Sequence, residues 1–396
     1  MSATAGSTTG DDSQIAAAGS TKAPTATATP AETSIVSTAV SPTVSSVPFL
    51  DAVHGRTPRH TPVWFMRQAG RSLPEYRRLR GSGSILDAIA RPELAAEITL
   101  QPVRRYGVDA AVLFSDIVVP VHAAGYGIDV APGTGPVADH PLRSSADLAR
   151  LRTVESDDVE HVTATVELVR AELPNSVPLL AFAGAPFTVA SYLIEGRPSR
   201  DYRHTKALMH LDEVLWHEVM ERLASTAINF IDAQLQHGAG AFQLFDSWAG
   251  SLDRPSYEQY VLPHSTRVFA ELSARHPGVP AIHFGIGCSH LLEPMYQAMG
   301  DGPVVMGLDW RTPIATARQR LGDDLVVQGN LDPALVLAGP QVAVRGARRV
   351  LADNASSDGS ANARHIFNLG HGVHPDSDPA ALQAVVDTVH EQTQVS

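Results

Sequence analysis

Arg67 and Arg71 stand four residues apart in a loop that contains Gly70, directly after the apolar run Pro62-Val63-Trp64-Phe65-Met66. Two guanidiniums from one loop can each bind a carboxylate or phosphate through paired N–H donors, worth roughly 1.5–3 kcal/mol per charged contact. Gly70 permits the sharp turn or close ligand approach such a loop needs. The competing reading is an ordinary surface pairing of these arginines with Glu75. Asp116 lies between Ala110-Ala111-Val112-Leu113-Phe114-Ser115 and Ile117-Val118-Val119, so its carboxylate needs a partner in apolar surroundings. It caps the next turn, pairs with an arginine, or accepts N–H groups from a ligand.

Three further places carry chemistry. His371 sits between Gly370 and Gly372, which keep an imidazole accessible to bind a carboxylate or pass a proton near neutral pH. Tyr192 falls on a helix expected to begin near Thr188, after the tight turn Gly184-Ala185-Pro186. Phe245-Asp246-Ser247-Trp248 supplies an aromatic wall and a hydroxyl. Taken singly, Tyr192 could be core packing and His371 a plain loop residue. His283 and Cys288 make a poor metal pair, five residues apart in a chain with no second thiol.

These residues end or follow short apolar runs. Eight such runs are present: Val63–Met66, Ala110–Phe114, Pro178–Ala183, Ala241–Phe245, Ala281–Phe284, Val304–Leu308, Leu325–Val327 and His365–Asn368. Between them lie helical patterns. Val219, Leu223, Ala227, Phe230 and Ile231 share one face of a helix expected over 217–236 and stopped at Gly238. Arg91-Pro92-Glu93 begins another, which Pro102 is expected to kink or shorten. Alternating strands and helices predict a single α/β domain over 49–396, a (β/α)8 TIM-type barrel, with a doubly wound open sheet as the alternative. In the barrel, the polar residue after each run gathers at the C-terminal face. Residues 353–364 read as a mobile polar surface loop.

Of the first 48 residues, 29 are Ser, Thr or Ala, which predicts a disordered low-complexity tail without the marks of an export signal. The charge balance of 30 − 42 = −12 argues against nucleic acid as a partner and makes clustered arginines more informative. No run is long enough to cross a membrane. Cys288, the one cysteine, forms no internal disulfide, which fits a reducing cytoplasm.

The motifs together resemble the uroporphyrinogen decarboxylase family over residues 49–392. Residues 62–76, Pro-Val-Trp-Phe-Met-Arg-Gln-Ala-Gly-Arg-Ser-Leu-Pro-Glu-Tyr, and Gly184-Ala185-Pro186-Phe187-Thr188 are the most specific. Phe114-Ser115-Asp116-Ile117, Gln243-Leu244-Phe245-Asp246-Ser247, Gly329-Asn330-Leu331-Asp332-Pro333 and Asn368-Leu369-Gly370-His371-Gly372 follow in the family's order. The resemblance implies a cytoplasmic homodimer that removes four acetate carboxyls from uroporphyrinogen III without metal or organic cofactor. It implies substrate contacts at Arg67, Gln68, Ala69, Gly70, Arg71, Arg80, Asp116, Tyr192, Phe245, Ser247 and His371. Asp116, Arg67 and His371 are implied as catalytic, Asp116 taking the pyrrole N–H groups. Two rivals remain. A zinc methyltransferase on the same barrel needs His-x-Cys and a further cysteine, where this chain has His283-Phe284-Gly285. A tetrapyrrole carrier would bind without releasing carbon dioxide.

Overall fold

Apolar on both faces, the runs suit strands of a parallel sheet covered by helices. The structure, a computed structural model, describes residues 46–395 except Arg71, Ser82, Pro132 and 356–361. The tail expected over 1–48 therefore lies, as far as residue 45, outside the described residues. Its last residue, Pro48, already begins the helix Pro48–Val53, with Phe49 fully buried.

Among the described residues nine strands form: β1 (Ala111–Val112), β2 (Ile128–Ala131), β3 (Gly135–Ala138), β4 (Leu179–Gly184), β5 (Ala241–Asp246), β6 (Ala281–Gly285), β7 (Val304–Gly307), β8 (Val327–Leu331) and β9 (His365–Leu369). Seven of them make one parallel sheet in the order β1-β4-β5-β6-β7-β8-β9, with helices in the connections. The first expected run contributes only a bridge, Val63 to Phe367 of β9. That bridge still closes the ring. Phe367 N–H donates to Pro62 O at 2.8 Å on one side, and Asp109 N–H donates to Val63 O at 2.8 Å on the other. The curled sheet is thus the predicted α/β barrel and not an open sheet.

Asp109 is the fastener of this seam. Its buried carboxylate accepts Val63 N–H at 2.8 Å and contacts His60 Nε2 and His390 Nε2, each at 2.8 Å. The two imidazoles lie against each other tilted by 35°, with ring centroids 3.9 Å apart. Inside the barrel a polar chain crosses from the first stave to β8 and β5. Trp64 Nε1–H donates to Gln328 Oε1 at 3.0 Å, and Gln328 Nε2–H to Gln243 Oε1 at 2.9 Å. All three side chains are buried, so each unmade bond would cost the desolvation of its group.

Two expectations about helices meet different fates. The helix Glu213–Gln236 buries the five residues named for its apolar face. The helix Pro92–Tyr106 is not ended by Pro102 but continues to Tyr106, its buried residues, including Ala95, Ile98 and Leu100, outweighing one missing hydrogen bond near its end. The polar segment 353–364 is fixed at both ends: Asp353 accepts Ile314 N–H at 2.6 Å, and Arg318 donates to Asn354 Oδ1 at 3.0 Å and to Arg364 O at 2.9 Å. Its centre, 356–361, lies outside the described residues.

Asp109 also sets an acid limit. Burial pushes its carboxyl pKa up, but the hydrogen bonds from His390 and His60 outweigh this and hold it below the usual value. A carboxyl lowered on folding stabilises above its unfolded pKa, and that contribution disappears as pH falls through the folded value. Asp109→Asn is expected to cost about 1–3 kcal/mol at pH 7 and to flatten the loss of stability below about pH 4. Urea unfolding of both proteins across pH 3–7 checks this, and equal stability at pH 7 would contradict it.

Candidate active site

The loop after the first stave is held from beneath. Gln68 is fully buried; its Oε1 accepts Phe65 N–H at 2.9 Å and its Nε2–H donates to Ala110 O at 2.9 Å. Gln68, expected as a substrate contact, therefore spends its side chain on the backbone of the loop. Ala69 and Gly70 are buried beside it. Arg67 is exposed and adopts a left-handed backbone, φ 61°, a conformation that costs a residue with a side chain roughly 1–2 kcal/mol. A Cβ on Gly372 would overlap the Arg67 side chain at Cγ, 2.8 Å away, so only glycine leaves room for that arm. Glu75 does not consume Arg67. It pairs instead with Arg105 Nε at 2.6 Å and Nη2 at 2.9 Å. Arg71 lies outside the described residues. Arg80 donates to Gly83 O at 2.6 Å, and unlike Arg67 it is not among the main charges acting on Tyr192 or His371.

Asp116 follows β1, half-buried, and one of its oxygens accepts Val118 N–H at 3.1 Å, so it does cap the turn. Its charge also acts on Tyr192. Burial raises the Tyr192 hydroxyl to about 12, Asp116 adding to the rise and Arg67 opposing it, which places all three within electrostatic reach. Tyr192 rides on the helix Pro186–Glu195. Ala185 N–H donates to Phe245 O at 2.9 Å, which joins the start of that helix to β5. Its far end is clasped by the hairpin β2–β3, an element the strand count did not include: Ala138 N–H donates to Gly196 O at 3.0 Å.

Phe245 is half-buried between Phe182 and Phe284, with centroids at 5.5 and 6.1 Å. Ser247 and Trp248 follow it. Thr188 fixes this turn, its hydroxyl donating to Asp246 Oδ1 at 3.1 Å and accepting Trp248 N–H at 3.3 Å. Trp248 lies edge-on to Tyr192 at 5.8 Å and 5.6 Å from Tyr202, an aromatic neighbour that no strand-end pattern marked.

His371 completes the face. Its Nδ1 accepts Gly372 N–H at 2.6 Å, which leaves the proton on Nε2. Burial, then the charges of Arg67 and Arg311, lower its pKa to about 4, so at neutral pH it is an uncharged donor. Arg67, Asp116, Tyr192 and His371 are thus linked by charge at one end of the strands, with Phe245 and Ser247 closing β5 at the same end. His283 is elsewhere: fully buried, its Nδ1 is 3.0 Å from Met295 O and its Nε2 3.8 Å from Asp246 Oδ2. Among the described residues, the three potential metal ligands that converge are His60, Asp109 and His390, at the opposite end of the barrel.

An α/β barrel with a cation, a carboxylate and two neutral hydroxyl or imidazole donors on its C-terminal face has the arrangement of a barrel enzyme acting on a small molecule. More narrowly, this chain belongs to the uroporphyrinogen decarboxylase family, whose profile, Uroporphyrinogen decarboxylase (URO-D), matches residues 45–392. It is 53% identical over 343 residues to the uroporphyrinogen decarboxylase of Rhodococcus jostii (strain RHA1), covering 87% of this chain and 95% of that one. It is 52% identical over 359 residues to that of Saccharopolyspora erythraea, covering 88% and 96%. A solved methyltransferase from Methanosarcina mazei matches with a TM-score of 0.67 over 87% of this chain and 98% of its own. At 16% identity that likeness concerns the fold alone.

The imidazole of His371 is therefore expected to titrate near pH 4 in the free protein and to stay silent between pH 6 and 8. Side-chain NMR with labelled histidine and a His371→Gln control checks this. A midpoint above pH 6 would contradict the electrostatics described.

Proposed function

We propose that this chain converts uroporphyrinogen III to coproporphyrinogen III by decarboxylating four acetate side chains to methyl groups, a step of porphyrin and heme biosynthesis. The observation that carries the reading is the Arg67, Asp116, Tyr192 and His371 constellation at the strand ends. The substrate brings eight carboxylates, which suit Arg67 and Arg71, and four pyrrole N–H donors, which suit the single carboxylate of Asp116. Phe245 packs against the flexible macrocycle, and Ser247 and the Tyr192 hydroxyl donate to its side chains. Gln68 acts by shaping the loop.

Loss of carbon dioxide leaves an electron pair that needs a sink. Protonation of the ring carbon beside the acetate creates an iminium-like cation; the carbon–carbon bond to the carboxylate then breaks, and its electrons flow into the ring. A second proton converts the exocyclic methylene to methyl, and the ring carbon gives up the proton it first took, which restores the pyrrole, so one proton is consumed for each carbon dioxide released. Asp116 stabilises the positive charge that develops at the ring nitrogens, an interaction stronger in the transition state than in the ground state. For proton delivery Arg67 is a reluctant acid, with a guanidinium pKa above ~12. His371 is neutral when free, and a substrate carboxylate set against it offsets Arg67 and Arg311 and raises its pKa toward useful acidity. We assign it the donor role, with no metal or organic cofactor, in a cytoplasmic homodimer.

Purified protein incubated anaerobically with uroporphyrinogen III, with products oxidised and separated by carboxyl number, tests the assignment. The expected result is a ladder from eight to four carboxyls that falls by roughly 100-fold or more in rate for Asp116→Asn. Unchanged octacarboxyl material from folded protein would sink the reading and restore the carrier alternative.

A further inference from the structure

Trp310 and Arg311 follow β7 in a loop built more firmly than a surface turn requires. Asp309, almost fully buried, accepts Arg311 Nη1–H at 2.8 Å, Arg311 backbone N–H at 3.2 Å and Gly287 N–H at 2.8 Å. Asn330, from β8, donates to Asp309 O at 3.0 Å and to Thr312 O at 2.6 Å, gripping the loop at both ends. The Arg311 guanidinium lies over the Trp310 ring, 3.9 Å from its centroid. The other side of this loop adjoins His371: the Trp310 and His371 rings are 6.5 Å apart, and the charge of Arg311 acts on that imidazole together with Arg67.

We propose that Arg311 is a further carboxylate-binding residue, gripping a propionate or acetate of the substrate from the β7 side while Arg67 serves the opposite side of His371. The inference rests on the polycarboxylate reading above. The Arg311 side chain is 52% exposed, and only one of its N–H donors is used within the described residues. A guanidinium held flat by an indole and tethered by one donor keeps the rest of its planar fork for a ligand. Neutralising Asp309 alone would need neither the stack nor the exposure. In a chain of net charge −12, a second cation beside the imidazole also makes the mouth locally attractive to a polyanion.

Steady-state kinetics of wild type, Arg311→Gln and Arg311→Lys with uroporphyrinogen III, alongside thermal unfolding, test this. The expected result is a KM about 5- to 30-fold higher for Arg311→Gln with kcat within about twofold. Arg311→Lys, which keeps the charge but loses the fork, should fall between. An unchanged KM in both variants, or a lower kcat at constant KM, overturns the proposal. If Arg311→Gln fails to fold, the Lys variant decides by the same KM criterion. Wild-type turnover is the control: with it, a failed prediction removes only the role of Arg311, and without it the decarboxylase reading falls first and this inference with it.

Discussion

The hold of Asp109 on Val63 fixes where Arg67 can stand. The bridge to Phe367, the backbone bond from Asp109 N–H to Val63 O and the Asp109 carboxylate tie the first stave into the ring, and the arginine follows Val63 by four residues. From there the chain is passed along polar contacts: Met66 N–H donates to Asn368 Oδ1 at 3.0 Å, and Val373 N–H donates to Met66 O at 2.8 Å. Those two bonds lock the Arg67 loop to the His371 loop. The left-handed backbone of Arg67 and the bare Cα of Gly372 then let the two functional side chains share one space. Loss of the seam would move the Arg67 cation without changing Asp116, Tyr192 or His371 themselves.

The electrostatics follow from the same closeness. Burial keeps the Tyr192 hydroxyl protonated and the His371 imidazole uncharged, so both meet a ligand as neutral donors. Positive charge is left to the arginines and negative charge to Asp116. A substrate carrying both many carboxylates and a cluster of N–H donors fits that division, since each of its polar groups finds the opposite partner. Burial is the larger cause of the neutral His371 imidazole and the charges of Arg67 and Arg311 the smaller, so a negative charge placed near those arginines would raise its pKa.

Much of this was legible in residue order. Strand positions could be read from runs such as Ala281–Phe284 and His365–Asn368, which pair as β6 and β9, and the residues that end them gather as a barrel requires. The first run could not be read as a single bridge, because its pairing depends on Asp109, an acidic residue far along the chain whose hold on two histidines has no local signature. The β2–β3 hairpin did have one, Pro132-Gly133-Thr134-Gly135 between alternating residues, and a strand search confined to apolar runs passes over it. At Gln68 the side chain itself has no local signature: its neighbours Arg67 and Gly70 point to a ligand, while its own amide turns inward to Phe65 and Ala110. Arg311 carries no local mark in the sequence, because what holds it, Asp309 and the loop gripped by Asn330, is set by the fold.

The most direct measurement is a crystal structure of the protein with coproporphyrinogen III bound under anaerobic conditions. The account predicts the pyrrole nitrogens converging on the Asp116 carboxylate at about 3 Å, with product carboxylates against Arg67 and His371. A macrocycle whose nitrogens face away from Asp116, or one seated on another part of the barrel, would contradict it.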